Sequence, residues 1–392
     1  VDALTDSSSS DLNQLGEAAV AALRRQDFRA ARPLFERLVA SMPSDLGVWY
    51  NLAVVRRGVG DATGQLEALD KVLASEPRHL PALLMKADHF AAAGDRRAAH
   101  TFYGAAVASA PDEGRLPPHL RAEVNRAREQ CALYAQAYQQ HLREVLARAG
   151  FDPNTSSRRF AQSVDLLFGR KQVYLQSPTA FYFPELPQRQ FYERQEFPWL
   201  AELEAKTDVI RRELLAVIDE EGAFRPYLRK EVNRPQGVLG ELTDNPAWSA
   251  LFLIEDGSVA AASERFPATM KALGEVPLTD APGRTPSVLF SMLRPGVRIA
   301  PHFGHTNARL ICHLPLIVPE GCGLRVGNET RPWIEGETLI FDDSMEHEAW
   351  NGGGRPRVVL LFEIWRPELS AEERRLVAAT LAAVSQYEVA RS

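Results

Sequence analysis

The spacing of apolar residues along this chain changes near its middle, from a long helical repeat to an alternation of period two. A shift of 34 residues superposes Pro43, Pro77 and Pro111, and with them Asp27, Asp61 and Asp95. The small Ala19, Ala53 and Ala87 share that period, as do the large Phe35, Leu69 and Tyr103, while Leu15, Trp49 and Leu83 open each unit. A fixed period of this length, without insertions, predicts a stack of repeated units. Behind it, Leu120, Val124, Ala127, Leu133, Ala137, Leu142 and Val145 fall on one helical face, which predicts a helix over about 119–149 closed by Gly150, Asp152 and Pro153. Leu203, Ile210, Leu214, Leu215 and Ile218 predict a second amphipathic helix over about 200–218.

From about Val288 the alternation takes over. In the run 309–318, Arg309, Ile311 and His313 share one face, and Leu310, Cys312 and Leu314 share the other. Further strands are predicted at 287–293, 323–326, 337–342 and 357–365, separated by turns at 294–296, 319–323 and 351–354. Short strands with such spacing predict a sandwich or barrel, with a two-sheet jelly roll first. Ser370 with Glu373 three residues on is a capping box that starts a closing helix.

The front period resembles the tetratricopeptide repeat, a helix-turn-helix unit of the same length. Gln65 in place of a small residue and Lys86 at a usually apolar position are its departures. The resemblance implies a solenoid with a concave groove and a capping helix, and a peptide or protein partner held in that groove. The expected organisation is a disordered tail over 1–11, an all-α repeat domain with its cap over 12–150, and a β domain with flanking helices over 151–392.

Composition narrows the classes. At 45% hydrophobic and 24% charged, the 392 residues match an ordinary folded protein, and a formal charge of -6 gives no electrostatic reason for a nucleic-acid partner. Three cysteines make no disulfide framework and no zinc spacing, so a reducing, cytoplasmic setting is expected; no apolar run is long enough to span a bilayer. The chain does not begin with Met, which leaves a removed leader compatible with the sequence.

Four of the nine histidines, His302, His305, His313 and His347, lie within 46 residues of the strand-rich half. His302 and His347 each follow a strand-like segment and a turn, the rim position from which a jelly roll points ligands inward, and two imidazoles suit iron, zinc or copper. His305 reads as a structural residue. Trp333, Trp350 and Trp365 read as core aromatics before cleft walls, and Cys312 and Cys322 as small buried hydrophobes.

The run from Ser291 to His302 and on through His313 resembles the aspartyl/asparaginyl β-hydroxylase family. So do Asn328 to Thr330, Leu339 to Trp350 and Trp365 to Leu369. The resemblance is specific over about 286–374 and looser back to Arg159; members of the family also carry tetratricopeptide repeats ahead of it. It implies a double-stranded β-helix (jelly-roll, cupin-like) fold and an iron(II)- and 2-oxoglutarate-dependent dioxygenase that uses O2 to hydroxylate the β-carbon of Asp or Asn in a peptide or protein. Relatives with the same chemistry on a lipid or small molecule, or a non-catalytic metal-binding scaffold, are the alternatives.

The same resemblance implies His302 and His347 as the metal ligands. Gly304 stands where a carboxylate ligand is usual in the wider class, which leaves the third position to water or to one of Asp342, Asp343, Glu346 and Glu348. Arg357 is implied as the partner of the remote carboxylate of 2-oxoglutarate, a role that suits the bidentate guanidinium fork. Ser291 and His313 match positions that contact the same molecule, and Arg309, on the face of His313, adds charge there. The chain departs from the best-known members at Ile311, where they have Arg.

Overall fold

The computed structural model describes residues 2–230, 237 and 239–389, and divides into two compact units, 1–161 and 162–392. No helix among the described residues is long and apolar enough to cross a membrane.

The first unit is a stack of antiparallel helices: α1 (Asp2–Arg24), α2 (Phe28–Ser41), α3 (Leu46–Gly58), α4 (Ala62–Ser75), α5 (Leu80–Ala92), α6 (Arg96–Ser109) and the long α7 (Pro118–Arg148). The repeated Asp residues are its punctuation. Asp27, Asp61 and Asp95 are the N-caps of α2, α4 and α6, each accepting a hydrogen bond from the backbone N–H three residues on, at 3.1, 2.9 and 2.9 Å. Such a cap satisfies one of the N–H groups a helix start leaves open. Gly60 and Gly94, just before two of these caps, have φ of +78° and +79°, and Gln26 takes the same left-handed turn at +58°. Ala19, Ala53 and Ala87 are fully buried, allowing the helix backbones of each unit to approach. Lys86 is tolerated inside the repeat because its ammonium pairs with Asp70 and lies 4.6 Å from the Phe102 ring centroid.

Three expectations change here. α1 extends over the Ser-rich start expected to be a tail; Ser, Asp and Ala cost a helix only a few tenths of a kcal/mol each, so an anchored helix propagates through them. Val1 lies outside the described residues. α7 buries Val124 and Ala127 in its first half, but Leu133 and Val145 of its expected buried face are exposed. The division between units falls after Ala161, within α8 (Arg158–Leu167), instead of after Gly150.

In the second unit, β1 (Phe191–Tyr192), α9 (Leu200–Glu204), α10 (Thr207–Leu215), β2 (Arg225–Pro226), β3 (Trp248–Glu255), β4 (Ser258–Val259) and α11 (Pro267–Leu273) lead into the strand-rich region. There follow β5 (Val288–Leu293), β6 (Arg298–His302), β7 (Arg309–Ile317), β8 (Cys322–Val326), β9 (Glu329–Arg331), β10 (Leu339–Phe341), β11 (His347–Asn351) and β12 (Arg357–Trp365), and then α12 (Ala371–Val389). The helix expected over 200–218 is two helices, and Leu215 on its expected buried stripe is 51% exposed.

The strands form two sheets, a large one in the order β1-β10-β7-β12-β5-β3-β2 with β4 on β3, and a small one in the order β6-β11-β8-β9. These strands pair antiparallel throughout. This is the expected two-sheet jelly roll. The alternation along β7 assigns its faces as predicted. Leu310, Cys312, Leu314 and Leu316 join β12 residues Val358, Leu360, Phe362 and Ile364 in a core covered by α9, α10 and α11. Ile311 joins Ile299, Leu324, Phe341 and Val359 in the space between the sheets. A strand paired on both sides with β12 on one edge and β10 on the other has no open edge, and its residues are buried from Arg309 through Leu316.

Candidate active site

Between the sheets lies a cavity of about 790 Å³, within the range of small-molecule sites. Its lining includes His302 and His347, and Ser291, Arg309, His313 and Arg357. Strand register explains the convergence. His302 at the end of β6 and His347 at the start of β11 are direct cross-strand partners, and their ring centroids are 4.1 Å apart. Nδ1 of His302 lies 2.8 Å from the Ala300 carbonyl oxygen and Nδ1 of His347 lies 3.0 Å from that of Met345. A carbonyl only accepts, so each Nδ1 carries the proton and each Nε2 keeps its lone pair, the tautomer a metal ligand requires.

Burial pushes the His302 imidazole below its ordinary value, and burial together with His302 pushes His347 down to about 4. Both rings are therefore neutral at pH 7. Among the described residues no third His, Cys, Asp or Glu completes a metal-binding group with them. The pair fits a metal that takes two imidazoles and leaves its remaining positions to small ligands.

The four acids near His347 separate cleanly. Asp342 is fully buried and accepts hydrogen bonds from Arg366, Gln176 and Ser344. Glu346 and Glu348 are held by Arg325, with Arg298 also on Glu348. Asp343 alone lines the cavity. Its position accounts for Gly304: a Cβ there would lie 2.0 Å from Asp343 Oδ2, so the space a side chain at 304 would take is filled by a carboxylate from the neighbouring turn. The Gly304 N–H also donates to the Asp343 carbonyl at 2.7 Å, tying the two turns together.

At the inner end, Arg357 is 1% exposed, and its Nε and Nη1 have no hydrogen-bond partner. Its guanidinium rests over the Trp333 ring, 4.6 Å from the centroid, and burial brings its pKa down to about 10, leaving it charged. His313 is buried with its Nδ1 unpartnered, and Ser291 accepts a hydrogen bond from Trp248 Nε1 at 3.2 Å. A buried cation with unused donors is costly unless a ligand anion completes it.

Arg309 is differently placed. Its Nη2 is 3.2 Å from Asp343 and its Nε 3.3 Å from Glu363, so its charge is compensated within the protein. Sequence reasoning did not find Glu363 or the place of Trp333 against Arg357. An acid on the inward face of β12, in register with Arg357 and Trp365, was the available signal for Glu363. His305, expected to be structural, stands exposed on the cavity rim.

Comparison with known proteins adds the relatives of this site. The sequence pattern of the family described as Aspartyl/Asparaginyl beta-hydroxylase matches residues 204–367. The human aspartyl/asparaginyl beta-hydroxylase is 37% identical over 180 residues, 45% of this chain and 22% of that protein. The human aspartate beta-hydroxylase domain-containing protein 2 is 31% identical over 206 residues, 51% of this chain and 54% of that protein. A Rhizobium tropici ornithine lipid ester-linked acyl 2-hydroxylase is 33% identical over 181 residues, 45% and 60% of the two chains. The matched region thus spans from about a fifth to three fifths of these relatives' own length. Residues 204–367 of the second unit thus resemble the aspartyl/asparaginyl β-hydroxylase family, and the paired histidines and the buried arginine all lie within that stretch.

Proposed function

We propose that the protein is an iron(II)- and 2-oxoglutarate-dependent dioxygenase that hydroxylates the β-carbon of an Asp or Asn residue in a peptide or protein. The observation that carries this reading is the buried Arg357 with two unused donors, in one cavity with two histidines whose Nε2 atoms are free to bind metal. His302 and His347 would hold the metal. Ferrous iron bound there supplies the oxidising chemistry by which O2 converts 2-oxoglutarate to succinate and CO2 and a substrate C–H to C–OH. Arg357 presents a fork matched to the remote carboxylate of 2-oxoglutarate. His313 and Ser291 line the same cavity and would contact the same molecule, and the Trp333 ring lies 4.6 Å from the guanidinium.

Asp343 fills the space that Gly304 leaves open, so a carboxylate stands near the two imidazoles without completing a three-residue metal group among the described residues. The repeats of the first unit would capture the polypeptide. Deleting residues through Ala149 should raise KM for a polypeptide substrate and leave uncoupled 2-oxoglutarate turnover nearly unchanged; unimpaired KM would remove the repeats from substrate capture.

The reading is tested by measuring succinate formation and O2 uptake by the iron-loaded protein with 2-oxoglutarate and ascorbate. His302→Ala and His347→Ala should each abolish both. Turnover at the parent rate in the double variant would contradict the metal assignment.

A further inference from the structure

Six residues along β12 from Arg357, Glu363 forms with Arg309 and Asp343 a second polar group of the cavity that the metal and cosubstrate reading leaves unused. All three line the cavity and are at most 6% exposed. One guanidinium is shared by two carboxylates, at 3.2 Å and 3.3 Å. Whether or not Glu363 keeps a proton, the group carries no net positive charge.

Three atoms of this group are buried without a hydrogen-bond partner. Arg309 Nε, which faces Glu363 at 3.3 Å, and Arg309 Nη1 are donors, and Asp343 Oδ1 is an acceptor. Native proteins rarely leave such atoms unpaired, and a matched donor and acceptor side by side call for a ligand group with the complementary pair. A primary carboxamide has it: its carbonyl oxygen accepts from Arg309 and its N–H donates to Asp343. A carboxylate accepts from Arg309 but sets its own lone pairs against Asp343, with no uncompensated cation to offset the repulsion. At the cavity mouth the half-exposed Arg284 stands with Asp256, so a charge there also meets its opposite.

We propose that the substrate side chain taken by this cavity is an uncharged carboxamide, that of an asparaginyl residue, and that Arg309 and Asp343 are the residues that select it over an aspartyl carboxylate. This rests on the reading of the cavity as a hydroxylation site. A site built to hydrogen-bond a polar group discriminates strongly against an analogue that leaves its buried atoms unpaired.

The test uses two degenerate peptide pools, identical except for a fixed central Asn or Asp, with the full-length iron-loaded protein. Hydroxylated product is read by mass, and 2-oxoglutarate consumption is measured in parallel without peptide. The Asn pool should be hydroxylated about tenfold or more faster. Glu363→Gln and Asp343→Asn each remove a negative charge from Arg309 at constant shape, and should shift the Asn-to-Asp ratio severalfold toward Asp. Equal or faster use of the Asp pool overturns the inference, as does absence of product from both pools while uncoupled turnover is intact. A ratio unmoved in both variants overturns the role of Arg309 and Asp343. Absence of uncoupled turnover would fall on the hydroxylase reading beneath it, and the inference would go with it.

Discussion

Two arginines of the second unit are equally inaccessible and opposite in kind. Arg366 is fully buried and answered by the protein: it donates to Asp342 at 2.8 Å, to the carbonyls of Pro187 and Asn307 at 2.9 and 3.2 Å, and to the Tyr192 hydroxyl. Arg357 is 1% exposed, and two of its nitrogens have no partner. Around Arg366, residues from Gln176 to Tyr192 are fastened to the turn that carries Asp342. Around Arg357 there is an aromatic floor and a cavity. Burial alone therefore does not distinguish a fold residue from a ligand residue; the partner list does. The closed network ties the turns together, and the open one leaves donors unused, as the proposed function requires of a cosubstrate anchor.

Breaking the closed network should have the largest effect on stability. Arg366→Met leaves Asp342 buried without its cation, a loss of about 3–5 kcal/mol, read as a lower midpoint in denaturant. Arg357→Met removes a buried charge that nothing in the protein compensates, so the ligand-free protein should be at least as stable as the parent. Equal destabilisation by the two would erase the distinction drawn between them.

Gly304→Ala probes the boundary between the two networks. The added Cβ would lie 2.0 Å from Asp343 Oδ2, and the carboxylate must move. Overpacking of this kind costs about 1–3 kcal/mol, and coupled turnover should fall while 2-oxoglutarate affinity, set at the Arg357 end, changes little. Unchanged coupled turnover would show that Asp343 has no part in the chemistry.

The smallest effect belongs to the repeats. Asp61→Ala removes the α4 cap and a 3.1 Å pairing with Arg32, for about 1 kcal/mol. It should lower the melting of the first unit alone and leave uncoupled turnover at the parent level. A matching loss of turnover would mean that the repeats support the site directly.

The ease of reading the sequence differed between the halves for physical reasons. Helix caps and close-packing alanines recur at fixed spacing because each repeat solves the same local problem, so Asp27, Asp61 and Asp95 were visible as punctuation before they were seen as caps. Alternation on β7 and β12 was equally legible, since both strands are buried on two faces of different chemistry, and the bounds of β12 match the expectation. The strands β3, β6 and β11 were not foreseen. β6 is half exposed and contains Pro301, β11 is polar at His347, Glu348 and Asn351, and β3 depends on pairing with β5.

In the site, the residues matched to the family motif line one cavity, because they sit on paired strands whose inward positions meet there. The pairing of Arg309 with Glu363 and the filling of the Gly304 space by Asp343 were not legible. Both are contacts between residues far apart in sequence, set by register and by a turn. Four acids within seven residues looked alike as a string, and only the direction of each side chain separated Asp343 from the three engaged in the fold.

The central claim is that Arg357 is kept unpaired for the remote carboxylate of 2-oxoglutarate. The most direct measurement is a titration of 2-oxoglutarate into anaerobic iron-loaded protein, comparing the parent with Arg357→Met and Arg357→Lys. Losing the partner of a desolvated carboxylate costs about 3–5 kcal/mol, so the Met variant should bind at least about a hundredfold more weakly, with iron affinity almost unchanged. The Lys variant should recover part of the loss, because a point ammonium cannot reproduce the fork. Unaltered 2-oxoglutarate affinity in Arg357→Met would contradict the account, and would move the anchor to another cation of the cavity.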